Sequence, residues 1–225
     1  MQLTLSREFI TDALSRSSLD PKVRALYELC FMYRHHLRDE VVTDKLRLIA
    51  RLHDAAMARG GQALNAEDAA RLLSHSQVDR WFGGLATAER LDTGLLLELH
   101  KRLMDVFGES GELGEDAARG LASRYLHFHF PELFPIYDSR IAAAIGLLER
   151  GDCGYLSLAE FDAVYGRFHA CCRKLTERIA PLLGRRLNPR ELDHVLRAWV
   201  DEADYGFEPP PAAAPAESRR PALHA

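Results

Sequence analysis

Helix start and stop signals recur along this chain so often that they leave little room for anything but an all-α fold. Ser157 with Glu160, and Asn188 with Pro189 and Glu191, match a reciprocal pattern: a capping side chain and an acid three positions on satisfy each other's free backbone N–H groups. Asp20 followed by Pro21 puts an acceptor at a helix N-cap and a residue without an N–H at the first helical position. Further starts fall at Ser6, at Thr43 (running to a stop at Gly60-Gly61), at Asn65 and at Asp92 (running to Gly108). After Pro21, Val23, Leu26, Tyr27, Cys30 and Phe31 follow three- and four-residue spacing and mark one buried stripe. No segment combines β-branched enrichment with strict alternation. The expectation is an all-α protein of about nine helices forming one compact domain over residues 1–208. A boundary between two lobes would fall near 83–114, where Gly83-Gly84 and Gly108 to Gly114 interrupt the pattern. Residues 209–225 are Pro/Ala-rich, lack an apolar face and are expected to be a disordered tail.

At 225 residues, 47% hydrophobic and 28% charged, the chain can bury a proper core. A net charge of −4 excludes a globally basic protein drawn to nucleic acid or anionic membrane by charge alone. Its apolar runs are far shorter than the ~20 residues a membrane span needs. The opening "MQLTLSREFITDAL" interrupts the apolar stretch of a signal peptide, so a cytoplasmic location is expected. In that compartment Cys30, Cys153, Cys171 and Cys172 should be reduced thiols. His169, Cys171 and Cys172 lack the paired spacing of a zinc site, and no metal or cofactor is expected.

The stretch "HFHFPELFPIYDSRI", residues 127–141, holds the best candidate residue. Pro131 and Pro135 cannot donate backbone hydrogen bonds and turn their predecessors away from helix, so "PELFPIY" must be a rigid bridge between two helices. Asp138 or Ser139 then supplies the cap of the second helix, where an acid also gains from the helix dipole. The same surroundings would aim an ionised Asp138 at a ligand, as a water-activating base or electrostatic catalyst requires. His127 and His129 lie two apart and diverge by ~200° on a helix, so they do not chelate one metal there. Trp81 and Trp199 read as core anchors rather than stacking platforms.

A helix ending in an aromatic-rich turn, then "FPIYDSRI", then a helix, resembles the region around the catalytic aspartate of helix-hairpin-helix DNA glycosylases. "ASRYLHFHFPELFPIYDSRI" and the later "NPRELDHVL" are also similar to elements of poorly characterised bacterial helical proteins thought to share that fold. The resemblance covers roughly residues 110–200 and implies Asp138 as the catalytic carboxylate. Arg124, His127, His129, Tyr137, Ser139 and Arg140 around it become candidate binding residues. The chain departs from that family in two ways. Gly111 and Gly114 are spaced one residue wider than in the DNA-gripping hairpin, and no lysine lies between Lys101 and Lys174. Arg119 or Gly120 falls near the place of the imine-forming lysine, and neither can form an imine. The resemblance therefore implies recognition or excision of a nucleic-acid base without a lysine nucleophile; a non-catalytic helical interaction protein is the alternative.

Two further patterns compete. His35, His36, His53 and Asp54, with Asp79 as a last ligand, resemble the metal-binding set of HD-type phosphohydrolases, in which a metal activates water for attack on phosphate. Arg167, Arg173, Lys174, Arg178, Arg185, Arg186, Arg190 and Arg197 form a basic stretch that could meet a nucleic-acid backbone or serve as a solvated helix face. The sequence leaves the oligomeric state open.

Overall fold

The computed structural model describes residues 5–16, 20–52, 64–87, 92–109, 113–148 and 161–205. These residues form ten helices and no strand: α1 (Arg7–Ser15), α2 (Pro21–Met32), α3 (Asp39–Leu52), α4 (Ala66–His75), α5 (Val78–Thr87), α6 (Thr93–Gly108), α7 (Glu115–His129), α8 (Ser139–Leu148), α9 (Ala163–Leu183) and α10 (Pro189–Tyr205). None of these helices is long and apolar enough to cross a membrane. Residues 209–225, where a disordered tail is expected, lie outside the described residues.

Most helix starts follow from side-chain chemistry. Ser6, Asp20, Asn65 and Asp92 each accept a hydrogen bond from a first-turn amide. At α10 the reciprocal pair is complete: Asn188 Oδ1 accepts from Glu191 N at 2.8 Å, and Glu191 Oε2 accepts from Asn188 N at 3.1 Å. Three expectations are corrected. α3 begins at Asp39, with Asp39 and Glu40 in its first turn, and Thr43 is buried inside it. α5 runs unbroken through Gly83 and Gly84, because Val78, Phe82 and Leu85 bury one face and outweigh the ~1 kcal/mol that each helical glycine costs. α9 starts from Asp162, which caps Val164 N; Ser157 and Glu160 lie outside the described residues, as does the stop at Gly60-Gly61.

Two apolar clusters form the interior. One is built from α2 to α7 around Leu26, Leu46, Leu73, Leu103, Phe107 and Phe134. The other joins α1 to α8, α9 and α10 through Ile10, Ile141, Tyr165, Leu175 and Val195, and includes Leu97 of α6. Trp199 is a buried member of the second, and Trp81 packs half-buried against the first with the Arg102 guanidinium 5.4 Å from its ring centre. Cys30 and Cys172 are buried free thiols, but Cys171 is disulfide-bonded, which corrects the expectation of four reduced cysteines.

α7 sets the problem that the rest of the molecule solves. Every residue from Ala118 to Phe128 is buried, including Arg119, Ser123, Arg124 and His127. A helix buried all round with four polar side chains must find each of them a partner inside the protein.

Candidate functional site

Three of those four are satisfied. Arg119 places its guanidinium between Asp162 (Nη2 to Oδ1, 3.2 Å) and Asp116 (Nη1 to Oδ1, 3.0 Å). Ser123 Oγ donates to Gly120 O at 2.9 Å and accepts from Tyr137 N at 2.9 Å. His127 Nδ1 donates to Phe134 O at 2.7 Å; its Nε2 must then be the acceptor, and it takes the Tyr27 hydroxyl at 2.6 Å. Burial pushes this imidazole down to about 4, which keeps it neutral.

Those bonds also anchor the bridge. Ser123 holds Tyr137 N, His127 holds Phe134 O, and Tyr165 OH donates to Pro135 O at 3.0 Å. Side chains thus supply the partners that a proline-bounded segment cannot obtain from a ladder of its own. Tyr137 is itself committed, its hydroxyl donating to Asp116 at 3.1 Å. The bridge ends at Asp138, whose Oδ1 accepts from Arg140 N at 2.9 Å and from Ile141 N at 3.3 Å. Asp138, not Ser139, is therefore the cap of α8; Ser139 and Arg140 are exposed at its start.

Arg124 is the exception. Its side chain is 3% exposed, its Nε has no partner, and its nearest acid is Asp138, with Nη2 at 4.0 Å from Oδ2 and outside hydrogen-bond range. Burial pushes it down to about 10, with the Arg197 charge adding to the effect and Asp138 and Asp193 opposing it. Gly120 makes room for it, since a Cβ there would lie 2.6 Å from Arg124 Nη1. From α10, Arg197 donates to Asp193 at 2.8 Å, yet Arg197 Nη2 and Asp193 Oδ1 are also buried without partners. Two guanidiniums and two carboxylates with open hydrogen-bonding capacity therefore meet beside a helix start, and Asp138 keeps 12% of its side chain exposed.

A second polar cluster lies on the other side of α7. His36 Nδ1 donates to Asp79 at 2.7 Å, its backbone N donates to both Asp79 oxygens at 3.1 Å, and its Nε2 accepts from Tyr125 OH at 2.7 Å. Lys45, fully buried, donates to Tyr33 O and to His129 Nε2, while His129 Nδ1 donates to Tyr125 O at 2.8 Å. His127 and His129 thus face different elements. Burial would raise the Asp79 carboxyl, but the His36 hydrogen bonds hold it below the usual range. Both His36 nitrogens are used, and the described residues contain no cluster of three or more metal-binding groups; His53 and Asp54 lie outside them. Asp79→Ala should cost about 1–3 kcal/mol, because it strands the His36 ring and amide. Asp79→Asn, which retains an acceptor, should cost less in urea unfolding.

Several members of the basic stretch are engaged within the protein. Arg185 pairs with Glu191 at 2.8 Å, Arg190 sits 4.8 Å over the Tyr27 ring, and Arg197 pairs with Asp193 at 2.8 Å. Arg173 and Arg186 line a cavity of about 310 Å³ together with Glu132 and Glu177.

Lys45 and the Arg119–Asp162 pair were not singled out by the sequence. Lys45 had a signal: it stands on the apolar stripe of α3 between Val42, Leu46 and Ile49. Compared with family models, curated proteins and solved structures, the chain matches none.

Proposed function

We propose that the Arg124–Asp138 centre recognises a nucleic-acid base and supports its excision without a lysine nucleophile. The observation that carries this reading is a buried guanidinium whose Nε has no partner, facing a carboxylate held at a helix start. Native proteins rarely bury such a group without a partner. A base edge presents donors and acceptors side by side, matching a loosely paired arginine and aspartate. In this reading Asp138 stabilises the cationic sugar as the C–N bond breaks and takes a proton from the attacking water. The base leaves with the bonding electron pair and is protonated, and the water oxygen bonds to the sugar carbon. Arg124 holds the departing base through its planar fork of donors.

A second reading has its own observation. Asp138 Oδ1 already serves two amides, as in any capped helix, and His127 and Tyr137 are spent on internal bonds. A non-catalytic helical interaction protein would look the same. The two part on oligonucleotides carrying uracil, hypoxanthine or alkylated bases. Base excision predicts alkali-labile abasic sites, no borohydride-trapped adduct, and loss of release in Arg124→Ala. Failure to bind or process any of these substrates would leave the interaction reading.

A further inference from the structure

The segment from the end of α2 to the start of α3 exposes large apolar groups that the core does not use. Phe31 is 69% exposed, Met32 71%, Tyr33 40% and Leu37 84%. Basic residues follow them directly: Arg34 lies 4.8 Å over the Phe31 ring, exposed His35 sits 3.8 Å from Asp79, and Arg38 pairs with Glu40 at 3.4 Å. The backbone beneath is fixed, because Lys45 holds Tyr33 O and Asp79 holds His36 N. An anchored loop displaying aromatic rings beside an arginine is a binding surface rather than a packing defect.

We infer that this loop binds single-stranded nucleic acid, stacking bases on Phe31 and Tyr33 while Arg34 and His35 meet the backbone. Aromatic platforms combined with neighbouring positive charge are how strands are held without sequence readout. An interfacial membrane helix would need an apolar face along its length, and that face of α2 is buried through Leu26 and Cys30. Four apolar side chains fall short of the ~800 Å² per partner typical of a stable protein interface. The inference takes only its ligand class from the excision reading and stands on different residues.

The test is fluorescence anisotropy of the full chain with labelled oligothymidylate, a matched duplex and anionic phosphatidylserine vesicles, at several salt concentrations. Expected is preference for the single strand, affinity falling as salt rises, and about tenfold weaker binding for each of Phe31→Ala and Tyr33→Ala. Their circular dichroism should match wild type, since both rings are exposed. At saturating substrate both ring variants should still release a base if the Asp138 centre does so, which separates this site from that centre. No single-strand binding, binding indifferent to both ring substitutions, or vesicle binding lost in their place would each overturn it.

Discussion

Arg119→Ala is expected to lower the unfolding free energy by about 3–5 kcal/mol. The Arg119 side chain is 7% exposed, and its partner Asp162 is 8% exposed. Removing the guanidinium leaves a buried carboxylate without its countercharge, which is the costly half of a buried pair. Asp162 also caps α9, and Asp116 loses a partner that it shares with Tyr137. The loss should therefore spread to the α7–α9 contact and be visible as early amide exchange there. Chemical denaturation gives the magnitude. A cost below ~1 kcal/mol would mean that solvent reaches Asp162 and that the pair is an ordinary surface contact.

The second large effect is acid sensitivity. Burial pushes His100 down to about 3, and His127 and His169 down to about 4. In the unfolded chain the same imidazoles titrate near ~6.5. Between those values the unfolded state binds more protons, so stability rises with pH and is lost as pH falls. The contribution is complete above pH ~6.5 and disappears progressively as pH falls to about 4 for His127 and His169 and to about 3 for His100. The three shifts have the same sign, so their losses add as pH falls. The melting temperature should fall steeply from pH 6.5 and the fold should fail near pH 4. His127→Gln should flatten part of that slope. A melting temperature constant from pH 7 to 4.5 would contradict the burial of these rings.

How much of this was legible follows from which forces act locally. The caps at Ser6, Asp20, Asn65, Asp92 and Asn188, and the bridge bounded by Pro131 and Pro135, are set by residues within a few positions of each other, and they can be read directly. α5 cannot be read that way, because its glycines argue for a break and the packing of Val78, Phe82 and Leu85 is a tertiary effect. Asp138 was visible as a capped-helix acid. Arg124 was visible only through the resemblance, since its distinguishing feature is a hydrogen bond it fails to make. The pairing within the basic stretch was hidden for a related reason: a sequence counts charges but not their partners, and Arg185, Arg190 and Arg197 had theirs nearby.

Asp138→Asn separates cap from catalyst most directly, with base release and melting temperature measured on one preparation. Asn caps a helix nearly as well as Asp, so stability should stay within ~0.5 kcal/mol. Asn cannot take a proton from water, so release should fall to background. Retention of full base release by a normally folded Asp138→Asn protein would contradict the account; loss of release at unchanged stability is what it predicts.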